Sequence, residues 1–491
     1  MRSRVLLLLL AGSSALPVQG QQADAKGPAL AVWARQAPSM DLLQPSARAA
    51  DSSSQAGCPD CNPQRKFWRG AWQLMAVQLI PFSVNHFLRD AEWADISLST
   101  WATNLENPWQ WDNNKFLNNQ FSHPYHGSLY FSAGRVNGYN FWESVPWAFG
   151  GSLMWEWFGE AWAPSPNDLW NTSLGGITLG ETLYRLSTLT LDNTATGSER
   201  TFREIGATLL NPVHGFNRLI DGRMNDINEN PSDWRPTRIQ ALLDFGYRKT
   251  HGENSQGVTE DLDQPYIEVS LFYGDQVEDL DKKPFSAFSL TASIGLNSGE
   301  SSTLSNLYSR GNLAAKVIDR EERKMHQLAA LMIYQYISLP TVEFGGQGFS
   351  GGLVSRWGPP SGTRVYTELL GTFMPVAALQ SDHFVTEEGR DYDYGVAFGG
   401  RGEARVILQD RAWVRLQTNY LWLPVMSGFN GDHTQASASL EGRLILGRRL
   451  GAGVTGTWYH RKSNYDTLDD VTRDGTQFRA FGSYAIPRLH P

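Results

Sequence analysis

Residues 414–422, VRLQTNYLW, alternate with period two. Val414, Leu416, Thr418, Tyr420 and Trp422 fall on one face of an extended chain, and Arg415, Gln417 and Asn419 on the other. Successive side chains of a strand point to opposite sides, so the stretch predicts a strand with one apolar and one polar face. The same texture runs from Pro236 onward. Ile239, Ala241, Leu243, Phe245 and Tyr247 oppose Arg238, Gln240, Asp244 and Arg248. Val396, Phe398, Ala404, Val406 and Leu408 oppose Arg401, Glu403, Arg405 and Gln409. Ala436, Ala438, Leu440, Leu444 and Leu446 oppose Ser437, Ser439, Glu441 and Arg443.

About twelve such segments occur, many longer than the ~5–6 residues of soluble strands and matching the ~9–11 that cross a bilayer obliquely. Short turns at Asp410-Arg411, Gly447–Leu450 and Gly358–Gly362 alternate with long polar connections at Lys249–Gln264, Leu379–Asp391 and Lys462–Gly475. Strand length, alternation and uneven loops together predict an antiparallel outer-membrane β-barrel of about 12 strands over 236–487. A soluble β-sandwich is the competing fold, and it does not place charges on nearly every alternate position of long strands. The polar face is then the lumen, where charges of both signs can pair and leave no wide pore. An even strand count puts both barrel ends in the periplasm.

Upstream the period changes. Trp68, Trp72, Met75, Leu79, Phe82 and His86 recur at three and four, a helical spacing, with Pro81 as a kink or stop. Further helices are expected over 127–139, 143–160, 165–185 and 199–210, the last resuming after Pro212. Ser165 is placed to cap the third, with Pro166 at its first position and Asp168 beside the positive end of its dipole. The fold class is therefore α+β: a Trp-rich helical domain over 64–230, then the barrel. Twelve of the eighteen tryptophans lie between Trp68 and Trp170, and indoles concentrate where apolar and wet surroundings meet. A barrel of ~12 strands is too narrow to enclose four such helices, so the helical unit is expected below it, on the periplasmic side.

Residues 1–20 resemble an export signal: Arg2 and Arg4, then the apolar run Val5–Leu10, then small residues near Gly20. Residues 21–63, rich in Ala, Ser, Gln and Pro, are expected to be a disordered linker. Cys58 and Cys61 are the only cysteines. In an exported chain CPDC points to a local disulfide, since a zinc ribbon needs two more ligands. A net charge of −8 and a pI near 5.7 argue against a nucleic-acid partner.

The chemistry-bearing block is Asn118–Arg185. His123 and His126 flank Pro124 at a helix start. Ser152, Glu156 and Glu160 share a helix face at i, i+4 and i+8. Asp168 opens the next helix, Arg135 ends the histidine helix, and Glu181 and Arg185 form an i, i+4 pair that reads as a surface ion pair. Glu156 between Trp155 and Trp157 resists a bland explanation, because burying a carboxylate there is costly unless it is paired. His, carboxylate and Arg together suit general acid–base work on a phosphate ester or other polar lipid headgroup. The same groups are the ingredients of a metal site, but HPYH is not an H-E-x-x-H helix, so metal ranks lower and no cofactor is called. No G-x-S-x-G elbow sits between a strand and a helix, so a standard lipase triad is not supported.

The run N-x-F-x-H-P-Y-H-G-S-x-Y-F-x-A-x-R, then G-S-x-x-W-E-x-x-G-E, then P-S-x-N-D, resembles an uncharacterised bacterial family of exported proteins over about residues 115–190. The resemblance implies a helical domain of unknown function followed by an outer-membrane barrel. By residue types in order, the helical part is also similar to the Lipocone superfamily, which includes VanZ-like proteins and for which lipid-headgroup chemistry has been proposed. That similarity implies a polar centre made of His123, Arg135, Glu156, Glu160 and Asp168. Two functions stay open at this point. One is processing of phospholipid or lipid-linked headgroups at the periplasmic leaflet, with outer-membrane lipid as partner. The other is a non-enzymatic scaffold or narrow pore with a helical plug or adaptor.

Overall fold

The computed structural model describes residues 58–254, 257–296, 304–339, 341–383, 390–447 and 449–486. The export signal, and the expected linker as far as residue 57, lie outside them. Residues 58–63, also assigned to that linker, form a small loop closed by the Cys58–Cys61 disulfide. Asp60 ties this loop to the helical domain through Arg218 at 3.4 Å.

Eight helices come first: α1 Phe67–Arg89, α2 Leu98–Glu106, α3 His123–Arg135, α4 Phe141–Phe158, α5 Pro166–Trp170, α6 Gly176–Thr190, α7 Gly197–Leu210 and α8 Pro212–Ile220. Two single π-helical turns, Asn118–Ser122 and Asn171–Gly175, lead into α3 and α6. Pro81 sits inside α1 without ending it. Asn140 and Glu143 make a reciprocal capping box at the start of α4, both bonds 3.0 Å.

Helices α3 and α6 form the centre of this layer. A Cβ on Gly127 would meet the Thr172 carbonyl oxygen at 1.8 Å, and one on Gly176 the Gly127 carbonyl carbon at 2.4 Å. Only glycine allows backbones to approach this closely. The glycine in HPYHG is thus a packing requirement of the helix pair.

Twelve antiparallel strands follow and close on themselves. They are β1 Ile239–Glu253, β2 Thr259–Tyr273, β3 Phe288–Gly295, β4 Leu304–Glu321, β5 Lys324–Leu339, β6 Val342–Trp357, β7 Arg364–Gln380, β8 Tyr392–Leu408, β9 Ala412–Ser427, β10 Gly431–Leu446, β11 Leu450–Tyr465 and β12 Val471–Ile486. β1 pairs with β12, from Ala241↔Ile486 to Gly252↔Gly475. Most strands are longer than bilayer crossing requires. Much of the stretches expected as long loops at 249–264 and 462–475 is strand.

The lumen holds the charges, and they pair as expected. Arg443 makes a two-pronged contact with Asp244 at 2.7 and 2.8 Å. Arg310 does the same with Glu368 at 2.6 and 2.7 Å. The outward face carries exposed Phe245, Tyr247, Phe398, Val414, Leu416, Tyr420, Leu440, Val454 and Phe478. Such an apolar outer band around a polar interior is the signature of a transmembrane barrel. No described helix is long and apolar enough to cross a membrane by itself.

The two rims differ. The turn rim carries the barrel's chain ends and the connections 322–323, 358–363, 409–411 and 447–449. Segment 274–287 also starts there but folds inward. Val277 and Leu280 pack on Met325, Ala329 and Leu331, and Glu278 meets Arg356 at 2.8 Å. At the loop rim, Ile333, Phe344, Met374, Leu421 and Leu423 cluster inside the barrel. A polar cavity of about 190 Å³ lies in the lumen.

The helical domain does not sit below the barrel as expected. It leans on the barrel's outer wall. Along β5, Leu328 faces outward and is 51% exposed, while Met332, Tyr334 and Tyr336, which share that face, are at most 3% exposed. Helical residues cover them. Phe116 and Leu179 pack with Tyr334, Tyr336, Tyr392 and Tyr394, and Tyr334 Oη donates to the Gln120 carbonyl at 2.6 Å. Near the turn rim Phe131, Phe141 and Leu189 pack with Ile239, Tyr273 and Phe288. The helices lie outside the lumen, as expected for a barrel of this width. Only the inference from there to a position beneath the barrel was wrong, because aromatic outward faces on β5 and β8 offered a lateral dock.

Candidate functional site

The polar groups converge where α3 begins, α4 ends and α5 opens. Glu156 lies in the last turn of α4 and is 1% exposed. Its Oε2 accepts from the Ser165 backbone N–H at 2.7 Å. Ser165 caps α5 as predicted, with its Oγ 3.4 Å from the Asp168 amide nitrogen. Asn167 is the hub. Its Nδ2 donates to Asp168 Oδ1 at 2.9 Å and to Tyr394 Oη at 3.1 Å. Its Oδ1 accepts from the Asp112 N–H at 2.9 Å and from Ser165 Oγ at 2.6 Å.

His123 places Nε2 3.7 Å from Asp168 Oδ1, with Nδ1 3.4 Å from Thr172 Oγ1 in the second π turn. Ligand atoms of Asp112, His123 and Asp168 all lie within 4.8 Å of one another. Glu160 follows α4 and is half-buried. Ser152 turns its hydroxyl to the Asp168 carbonyl at 3.4 Å.

Electrostatically the pole is one-sided. Burial first, then Glu160 and Asp168, pushes the Glu156 carboxyl well above the usual range. Glu160 and Asp168 are raised in the same way, by burial and then by neighbouring carboxylates. Burial lowers His123, and Asp112 opposes that. Tyr130 is fully buried, feels Glu156 and Glu160, and its hydroxyl has no hydrogen-bond partner. Asp112 Oδ2 is also buried and unpartnered.

Four of the six predicted site residues, His123, Glu156, Glu160 and Asp168, belong to this pole. His126 is its neighbour: Nε2 lies 3.1 Å from the Val77 carbonyl of α1, and the ring packs on Tyr130 and Trp155. Burial takes it down to about 4, so it is neutral and serves the α1–α3 contact. Arg135 is not in the site. It pairs with Glu181 at 2.8 Å, and Arg185 pairs with the same carboxylate at 2.8 Å. Glu181 is 0% exposed, so this is a buried triad, not the surface pair expected from its i, i+4 spacing. It lies toward the turn rim, where Arg185 donates to the Pro284 carbonyl at 2.9 Å. The thirteen-residue helix α3 keeps the two poles apart.

Asp112 was missed. It is the only carboxylate between Glu106 and Glu143, a signal lost because it lies in an irregular Trp/Asn stretch. Tyr394 was missed because strand parity says which face it occupies but not what docks there.

The site is on the loop rim. Arg390, just before β8, donates to the Asp112 carbonyl at 3.4 Å and to Asn113 Oδ1 at 3.2 Å. Asn119 donates to Tyr392 Oη at 2.9 Å, and Trp111 packs on Tyr394 with ring centroids 5.1 Å apart.

Residues 108–213, which hold this pole, match the family model described as "Domain of unknown function (DUF3943)". No curated protein matches the chain. Solved structures similar to it include the KdgM porin, at 7% identity over 49% of this chain and 98% of that one, TM-score 0.23. The toluene transporter TodX of Pseudomonas putida is 10% identical over 52% of this chain and 90% of that one, TM-score 0.22. The translocator domain of the autotransporter NalP from Neisseria meningitidis is 13% identical over 51% of this chain and 89% of that one, TM-score 0.22.

Proposed function

We propose that this is an outer-membrane enzyme whose barrel is a scaffold, and whose helical domain hydrolyses or transfers a phosphorylated lipid headgroup. The observation that carries the proposal is the acid–histidine pole, docked on the outer wall of a membrane barrel instead of in its lumen. A site in that place meets lipid before it meets any solute passing through the protein.

The helical surface away from the barrel supports this. Trp68 is 81% exposed, Phe87 74% and Leu88 79%. Apolar exposure on this scale marks a surface in contact with lipid or a partner. Trp162 and Trp170 stay exposed near the pole, where indoles suit the headgroup level. Buried carboxyls of raised pKa suit general acid–base steps, and a neutral His123 suits proton transfer or ligation.

Orientation follows from general barrel rules. Chain ends and short turns belong to the periplasm, so the loop rim and the pole lie at the outer leaflet. We propose this outer leaflet in place of the periplasmic leaflet expected from sequence. The scaffold role rests on segment 274–287, whose Val277 and Leu280 pack inside the barrel at the turn rim and narrow its mouth. The helices do not plug the barrel, so a pore with a helical plug loses its basis. An adaptor role remains the second reading, favoured by the apolar surface of α1.

The test is lipid profiling of a deletion strain complemented with the wild-type chain or with Glu156→Gln. The enzyme reading predicts a changed headgroup species restored by wild type and not by the variant. Equal restoration by both would leave the adaptor.

A further inference from the structure

We infer that the pole is a divalent-cation site, with Asp112, His123 and Asp168 as protein ligands and open positions for water or an anionic oxygen. Three side chains from three separate segments bring one ligand atom each to within 4.8 Å of the others. They are the stretch before α3, the first residue of α3 and the opening of α5. Two carboxylates and one imidazole match the donor set of Zn²⁺ or Mn²⁺, and three protein ligands leave the coordination sphere open, as catalytic sites do.

Second observations point the same way. The buried Asp112 Oδ2 has no hydrogen-bond partner, and neither has the fully buried Tyr130 hydroxyl beside Glu156 and Glu160. A buried polar atom is normally paired, so such orphans ask for a missing partner. Glu156 and Glu160 add two more carboxylates nearby. Arg390, a barrel cation that reaches this stretch, bonds the Asp112 carbonyl. Like charges gathered without a counter-ion cost stability, and a bound dication removes that cost.

The second shell is already built. Asn167 fixes Asp168 from one side and the Asp112 backbone from the other. Thr172 stands at the His123 Nδ1, leaving Nε2 toward Asp168. Partners of this kind set ligand orientation in metal sites. The cation's task in the proposed reaction is to polarise a phosphoryl oxygen or a bound water. Cation binding itself does not depend on the lipid reading.

The experiment uses the full chain without a polyhistidine tag, purified in detergent and stripped with chelator. It is equilibrated separately with Zn²⁺ and Mn²⁺, and retained metal is measured by elemental analysis and affinity by titration. We expect about one equivalent in the wild type and at least tenfold weaker binding in Asp112→Asn and His123→Gln. Glu143→Gln, at the far end of α4, should bind as wild type. Because Asp112 is only half-buried, Asp112→Asn is the variant expected to keep its fold, checked by circular dichroism. Absence of retained metal in a folded wild type, or equal binding by wild type and folded Asp112→Asn, overturns the inference. Metal binding without any lipid turnover would keep it and sink the enzyme reading instead.

Discussion

Tyr394, on the outer wall of the barrel, accepts a hydrogen bond from Asn167 at 3.1 Å, and the same amide group holds Asp168 at 2.9 Å. A barrel side chain is thus one residue removed from the candidate site. The barrel positions the chemistry from outside its own pore.

Tyr394→Phe should remove that bond and leave the barrel closed. The expected cost is about 1 kcal/mol, the usual net worth of a buried hydrogen bond. Unfolding of the helical domain followed by Trp fluorescence measures it. Tyr334→Phe, which loses the bond to Gln120, should cost a similar amount. Heat-modifiability of the barrel on gels should be unchanged in both.

Gly127→Ala should do far more damage, because the new methyl meets the Thr172 backbone and not a flexible side chain. Overpacking of this kind costs roughly 1–3 kcal/mol or more. Helical circular dichroism should fall while the barrel signal stays. Gly150→Ala is the control, since nothing lies within 4 Å of its Cβ. It should be neutral or stabilising by up to about 1 kcal/mol.

Glu181→Gln tests whether Arg135 belongs to the fold or to the chemistry. It leaves two half-buried guanidinium groups without their shared, fully buried carboxylate. Breaking a buried pair costs roughly 3–5 kcal/mol. Stability of the helical domain should drop by that order, with metal retention per folded molecule unchanged. Lost retention in a folded variant would return Arg135 to the site.

Part of the acid sensitivity should trace to His214, alongside the similarly lowered His126. His214 is buried, bonded to Ser187 Oγ at 2.9 Å, and held down to about 3 by burial, then Arg218 and Arg135. Unfolded, it takes up a proton near ~6.5. Between those values the unfolded chain binds more protons, so stability falls as pH falls. The slope from this residue is at most about 1.4 kcal/mol per pH unit. His214→Gln should flatten the loss measured between pH 6.5 and pH 4. An identical slope would assign the sensitivity elsewhere.

The barrel was legible in the sequence because period two and charge alternation survive in most of its long strands, as in Val414–Trp422. The helices were legible from spacing and from caps such as Ser165. Four site residues could be named because carboxylates among indoles are expensive and rarely accidental. Three things were not legible. Arg135 shares the site's residue types, but helix length separates it from the pole, and no motif encodes that distance. Asp112 comes from an irregular segment with no period to place it. The lateral dock depends on which outward aromatic faces are covered, and strand parity alone gives Tyr334 and Leu328 the same status.

The central claim is that the acid–histidine pole stands at the loop rim, on the outer face of the cell. Lys115 is exposed and next to Phe116, which packs on Tyr336 and Tyr392 at that rim. Arg323 is exposed in the turn between β4 and β5 at the opposite rim. In a background with Cys58 and Cys61 changed to Ser, Lys115→Cys and Arg323→Cys are each treated with a membrane-impermeant maleimide. The account predicts full labelling of Lys115→Cys in intact cells, and of Arg323→Cys only after permeabilisation. Labelling of Lys115→Cys only in permeabilised cells would put the pole in the periplasm and contradict it.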